Sequence, residues 1–570
     1  MRLQPHERIL DFWRAIARHS FRDGMFVRGS TAAGNSISDA EQLLCLLLPA
    51  TTQPYFILDQ AGRTRDDVRE ALRLLGNPED ETIVPIRLIR AQIDYFDCYR
   101  DVNGQPVFTA GQYLTGDPQV IRHDVVESFA VSIRLSLAAI GFSRAFQRTM
   151  RRPDLRAETD RLGDLASSRL TAAMIGLLRS FVVHEFPDDS PSGFELRQLL
   201  GQEQRDGHAV LAEFTSHLIQ TRASLSEIFI GTGRPTALLA DDSLQFACGW
   251  TWGVVPDAPE VDTEIPDVPQ RNGVAAYRPD LYFSLLAMEA ISELFAERTR
   301  VLALLNEEQQ RLARALQLRV DLTRTYWATL ATFGEHRWPL ERLPWHGASD
   351  YQSLVVAAMT STAFYARRGD TSLSFGYLQR VLARLATRYE IVKPPRADGE
   401  PPTIRLRGEL VLLAGSSAVY RATSFAALLF DTVIRTAVAT DHDQLRQDLG
   451  DLADLIWAHL GIDQGPPDLR RLGDQPGPDW HNVLRLVTGL TWAVSLADDT
   501  RRATAPLAFV HELLADADET VERIDIGQHV KTKLERARRI IDEHPARAAA
   551  LLYEIHAEID AFLLSQDSDD

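Results

Sequence analysis

Lysine is nearly missing from this chain. Only Lys393, Lys531 and Lys533 occur among 61 basic residues, and arginine supplies the rest. The bias fits a GC-rich genome, and arginine favours two-pronged pairing with carboxylates. Cysteine is also scarce. Cys45, Cys98 and Cys248 lie far apart, are odd in number and form no CxxC pair. A disulfide framework and a structural zinc site are not expected, and a reducing cytoplasm is the expected location. Cys45 and Cys98 fall on apolar faces and read as buried, inert thiols.

Long apolar runs are missing too. The stretches 129–142 and 169–183 are broken by Arg134 and Arg179, short of the roughly 18–20 residues a spanning helix needs, so no membrane insertion is expected. The first residues, MRLQPHERILDFWRAIARHSF, contain no long apolar segment and read as no secretory signal. The net charge of −18 excludes general nucleic-acid binding, which depends on neutralising phosphates. His511-Glu512 lacks the second histidine of a zinc-protease helix, and no Gly-x-Ser-x-Gly elbow occurs.

Helical periodicity is abundant. The pattern predicts a mostly α, multi-domain helical bundle architecture with a few short strands or hairpins. Ile9, Phe12, Trp13, Ile16 and Ala17 make one face of a first helix, with Pro5 near its start. Residues 124–146 and 164–186 read as apolar helices. Strands are expected at 25–28 and 55–58, and a hairpin from 403–413 with 419–423. Proline-rich breaks at 254–279 and 393–402 suggest domains over 1–253, 280–392 and 403–570, with 254–279 as an acidic linker or long loop. Residues 281–333 read either as two helices with a turn near Asn306 or as one helix about 80 Å long.

Four stretches invite a chemical reading. GSTAAGNS runs from Gly29 to Ser36 with the glycine spacing of a phosphate loop, but Asn35 stands where lysine belongs. With Gly29, Gly34, Asn35, Ser36 and Asp59 it makes a degenerate nucleotide pocket. The competing reading is a capped core helix, with Ser38 and Glu41 forming a capping box. Trp250 and Trp252, one residue apart, would face opposite sides of an extended segment. With Trp338 and Trp345 they could dock a partner or cap the core. Arg144, Arg148, Arg151 and Arg152 form a basic run that is either a solvated face or a docking patch. His123-Asp124 and the pairs Asp188-Asp189, Asp241-Asp242 and Asp498-Asp499 resemble metal-site fragments. Each lacks its partners and reads as caps and turns. No cofactor and no metal ligand set is expected.

Several segments carry a family likeness: NSISDAEQLLCLL from Asn35, RLTAAMIGLLRSF from Arg169, ERTRVLALLNEEQQRL from Glu297 and YWATLATFGEHRWPL from Tyr326. The chain resembles an uncharacterised family of actinobacterial, streptomycete-type proteins. Its genes tend to lie beside those for a variant P-loop protein and a SAM-dependent methyltransferase. The resemblance implies one component of a multi-protein system and carries over no catalytic residues. The leading expectation is a non-catalytic interaction or scaffold component with protein partners, such as the products of those neighbouring genes. The alternatives are a nucleotide-binding sensor or enzyme using residues 29–36, and a metal-dependent phosphohydrolase in a helical fold.

Overall fold

The structure, a computed structural model, describes residues 3–28, 34–60, 62–77, 79–117, 120–149, 152–201, 207–229, 244–263, 268, 270–333, 350–366, 372–391, 406–462, 465–473, 477–503, 507–523, 527–541 and 545–566. It is a mostly α, multi-helix architecture in which the few strands are short and form small antiparallel sheets. The chain divides into two compact units, Met1–Thr491 and Trp492–Asp570.

In the first unit the helix Pro5–Ser20 forms as its pattern predicts. Proline occupies the first turn, where its missing N–H costs nothing, and Ile9, Phe12, Trp13, Ile16 and Ala17 are all buried. The Trp13 indole donates to the Cys45 carbonyl at 3.0 Å, tying this helix to Ser36–Thr52. The helix Val126–Thr149 sits at the centre, against Pro153–Arg179, Ser36–Thr52 and Leu281–Leu294. Contrary to the sequence reading, this helix is long and apolar enough to cross a membrane. However, 83% of its apolar window is buried inside the fold, as in a core helix.

Residues 281–333 resolve into Leu281–Leu294, a short turn of helix Glu297–Val301, and Glu307–Thr332. The break falls at Asn306. Its side chain accepts from the Gln309 N–H at 2.8 Å, and the Gln309 side chain accepts from the Asn306 N–H at 3.0 Å. This reciprocal cap starts the second long helix.

Other local expectations fail for non-local reasons. The helix expected over 164–186 stops at Arg179. Phe181–Pro187 is instead a strand, paired antiparallel with Leu244–Trp250. Residues 25–28 give only Met25–Phe26, in a hairpin with Phe21–Arg22. Asp23 and Gly24 turn that hairpin at φ of 51° and 72°, the left-handed pair a two-residue loop requires. Around 55–58 the chain makes a 3-10 turn, Pro54–Phe56, instead of a strand. The expected hairpin near 410 and 420 forms as Glu409–Leu412 with Val419–Ala422. Leu114–Thr115 joins it as a third strand, so chain from either side of the proline-rich breaks shares one sheet. The segment 254–279 is no free linker where described. Val255 and Ala258 are buried against Val182, and Arg179 donates to the carbonyls of Arg271 and Ala258.

The second unit has its own core. Helices Leu507–Arg523, Gln528–Ile540 and Pro545–Gln566 bury Val510, Ala517, Val530, Ala537, Leu552 and Ile555 among one another. Ion pairs Lys533–Glu558 and Arg538–Asp518 lie at the rim of that core, at 2.6 and 2.7 Å.

Asp280 caps the helix Leu281–Leu294, accepting from the N–H groups of Tyr282 and Phe283. Burial pushes its carboxyl up to about 6, against the pull of those two amides. The native state therefore holds this proton more tightly than the unfolded chain does. The resulting stabilisation is complete below about pH 4 and is lost as pH rises through about 6. Asp280→Asn keeps the capping oxygen and removes the charge. In paired urea titrations between about pH 4 and 8, the variant gains on the native chain by about 1–3 kcal/mol. An unchanging difference across that range contradicts this account.

Candidate functional site

The loop that leads into the helix from Ser36 comes first. The helix begins at Ser36, earlier than the Ser38 capping box implies, with Asn35 as its N-cap. The Asn35 side chain accepts from the N–H groups of Ile37 and Ser38, both at 3.1 Å. The Ser36 N–H donates to the Thr109 hydroxyl, and the Asn35 N–H donates to Tyr99 Oη. Among the described residues, the amides of Asn35, Ser36, Ile37 and Ser38 are therefore filled by the protein itself. Asparagine stands in the lysine position because it is the cap. Gly34, at φ 65°, makes the turn into the helix. Gly29 lies outside the described residues. Asp59 is buried and faces Arg298 at 3.8 Å.

The remaining nominated residues are placed as follows. Trp250 and Trp252 are both buried, so neither offers a ring to a partner. Their indoles donate to the carbonyls of Leu177 and Ala414. Residues around Trp250 form a strand whose two faces are both covered, which defeats the expectation of one exposed ring. Trp338, Trp345 and Arg151 lie outside the described residues. Arg144 and Arg148 are exposed; Arg144 donates to the carbonyls of Leu302 and Ala303, and Arg152 pairs with Asp154 at 2.6 Å. The exposed run is thus partly committed to local contacts. Cys45 and Cys248 are buried, but Cys98, at the end of its helix, is exposed.

The chemistry-bearing groups converge elsewhere. Glu41 was read as half of a capping box, yet it lies inside the helix Ser36–Thr52 and its carboxylate turns to the interior. Glu127 comes from the first turn of Val126–Thr149, and His481 from the first turn of Trp480–Ala503. His481 Nδ1 lies 2.5 Å from Glu41 Oε1 and 3.5 Å from Glu127 Oε1. The Tyr113 ring stacks on the imidazole with centroids 3.7 Å apart, and its hydroxyl donates to Glu41. Tyr420, on the strand Val419–Ala422, donates to Glu127 at 2.5 Å, and Tyr282 donates to the same carboxylate at 3.2 Å. Burial pushes the Glu41 and Glu127 carboxyls up, partly offset by the Tyr113 bond for Glu41 and by His481 for Glu127. Asp479, two residues before the histidine, is pushed up to about 6 by burial. The same burial raises Tyr113, Tyr282 and Tyr420, which keeps all three phenols protonated as donors.

One turn along the same helix, Arg485 binds both oxygens of Glu289 at 2.8 and 2.9 Å and Asp431 at 2.9 Å. Arg435 reaches Asp431 at 2.9 Å and Glu289 at 3.4 Å. Burial opposes ionisation of Glu289, but Arg435 and Arg485 outweigh it and hold the carboxyl below its ordinary range. Arg134 faces Glu293 and Glu289 through space. A cavity of about 30 Å³ lies among these groups, lined by Glu41, Glu127, Arg134, His481 and Arg485, with Leu286 and Leu484 as apolar walls. It has room for about two water-sized occupants. The donor atoms able to hold a metal ion here are one imidazole nitrogen and one oxygen from each glutamate, all within 4.8 Å of one another.

A second, open cleft of about 530 Å³ lies along the helices Ile83–Cys98 and Pro153–Arg179. Arg169 lies at its wall, buried, with its guanidinium over Phe108 and Tyr95 at 4.5 and 5.2 Å and bonded to Ser132, Tyr99 and Val107.

Fold and site together define a helical protein with an enclosed centre of carboxylates, phenols and one imidazole. The chain belongs to the SCO2524-like family, whose profile matches residues 1–570. No curated protein and no solved structure matches it.

Arg485→Leu leaves Glu289 and Asp431 buried with one guanidinium fewer. Chemical denaturation should show a loss of about 3–5 kcal/mol. Arg148→Ala, on the exposed run, should stay within about 0.5 kcal/mol. Equal effects of the two would contradict the account of the buried network.

Proposed function

We propose that this chain is a non-catalytic interaction component of a multi-protein system. One surface feature carries the reading. The strand Glu409–Leu412 is an outer strand of its sheet, and it exposes Leu410 and Leu412 at 70% and 66%. An outer strand leaves one row of backbone groups unpaired by the sheet, and two projecting leucines beside it suit a partner that adds a strand. The convergent titratable groups support the same reading from the other direction. They surround a space for water-sized occupants, which an organic or phosphorylated substrate does not fit. That distinguishes this reading from a phosphohydrolase at the same centre. The partners that the family likeness suggests are the variant P-loop protein and the methyltransferase encoded nearby.

Co-expression of the tagged full chain with those two products tests this. At least one should co-elute through affinity and size-exclusion steps. Replacing Leu410 and Leu412 together by aspartate should release it while leaving the thermal midpoint within a few degrees. Elution of the native chain alone, free of both products, overturns the proposal.

A further inference from the structure

We propose that Glu41, Glu127 and His481 form a binding site for one divalent transition-metal ion, seated at the cavity they line in the first unit and joining the three helices that carry them. The donors come from Ser36–Thr52, Val126–Thr149 and Trp480–Ala503, so one ion would clasp elements up to 440 positions apart. A nitrogen with two carboxylate oxygens is a donor set for zinc, manganese or iron. Calcium and magnesium prefer oxygen alone.

Three observations point the same way. The first is distance. Two ligands about 2.0–2.2 Å from one zinc lie roughly 3.3–3.5 Å apart in a tetrahedral site. His481 Nδ1 and Glu127 Oε1 already stand at 3.5 Å. Glu41 Oε1, at 2.5 Å from the same nitrogen, is closer than two ligands of one ion can be; that spacing suits a shared proton, and a metal would take the proton's place. The second is enclosure. The His481 side chain is 1% exposed and lines the cavity, with Tyr113 stacked on its ring, so the imidazole and the two carboxylates at its Nδ1 are shielded from bulk water. The third is charge. The carboxyls of Glu41, Glu127, Asp479, Glu289, Asp431 and Glu293 outnumber the guanidiniums of Arg134, Arg421, Arg435 and Arg485 around this space by two, and His481 can offset only one. Arg134 and Arg485 also line the cavity and repel a cation. Arg485 is already bound to Glu289 and Asp431, and Arg134 faces Glu289 and Glu293, so the glutamate pair at His481 keeps its surplus. A buried surplus of negative charge is met either by protons or by a cation.

The test uses the purified full chain, stripped with chelator and titrated with zinc and, separately, manganese. Calorimetry should give close to one ion per chain, and the thermal midpoint should rise with the metal. Cobalt substitution should add visible absorption bands of a low-coordinate site. Glu127→Gln and His481→Asn should weaken binding at least tenfold and remove both the thermal shift and the bands. His529→Asn, at an exposed histidine in the second unit, should leave all three unchanged. Should a variant fail to fold, the native chain decides alone: absence of stoichiometric binding and of any thermal shift overturns the proposal. Undiminished binding in folded Glu127→Gln or His481→Asn places the metal elsewhere and overturns it equally.

Discussion

The interior charge balance at the start of the helix Trp480–Ala503 is the constraint on which the first unit depends. Its first two turns carry His481 and Arg485, and both are buried. A buried imidazole and a buried guanidinium are tolerated only where partners reach them. Those partners come from four other helices: Glu41, Glu127, Glu289 and Asp431. Moving any one of these helices out of place leaves a charge unpaired. The packing register of the unit is therefore specified by polar contacts as well as by apolar fill, and the apolar residues supply most of the cohesive energy.

The same constraint accounts for the little sheet. Three two- to four-residue strands have scant stability of their own. Their middle strand delivers Tyr420 to Glu127, with Thr423 just beyond it beside Tyr282. Leu114–Thr115 follows Tyr113, whose ring covers His481. Two of its strands are thus tied to the buried centre, while Glu409–Leu412 exposes Leu410 and Leu412. A rigid edge with two exposed leucines differs from a loop of the same composition, because a partner that adds a strand need not order it first.

Much of the helical framework was legible in the sequence. Periodicity alone places Pro5–Ser20 and Val126–Thr149, whereas the choice between one long helix and two over 281–333 stays open until the Asn306–Gln309 cap decides it. Elements whose shape is decided by a distant partner were not legible. Phe181–Pro187 continues an apolar helical pattern and becomes a strand because Leu244–Trp250 lies beside it. The centre was hidden for the same reason, since Glu41 and His481 are 440 positions apart. A signal did exist. Glu41 stands two residues before Leu43, at the head of Leu43, Leu44, Leu46 and Leu47, all buried, and Glu127 and Arg134 interrupt another apolar helix. A carboxylate on a helix with little polar face must find an interior partner. The Ser38-to-Glu41 spacing offered a capping box as a simpler home for that carboxylate, and the actual cap at Asn35 removes it.

The scarcity of lysine acquires a physical meaning at this centre. Arg485 touches two carboxylates at once through Nη1, and Arg435 returns to the same two through Nη1 and Nε, so Glu289 and Asp431 are bridged by a pair of guanidiniums. An ammonium carries a compact, strongly hydrated charge that is costlier to bury and lacks the two-nitrogen edge that Arg435 uses. Arg169 makes the converse point. With no carboxylate at ion-pair distance among the described residues, it is held by two aromatic faces, two carbonyls and a hydroxyl. The delocalised charge of a guanidinium permits that arrangement. Genome-wide preference is sufficient to supply arginine at the surface. Inside, at Arg169, Arg435 and Arg485, the geometry of the partners selects it.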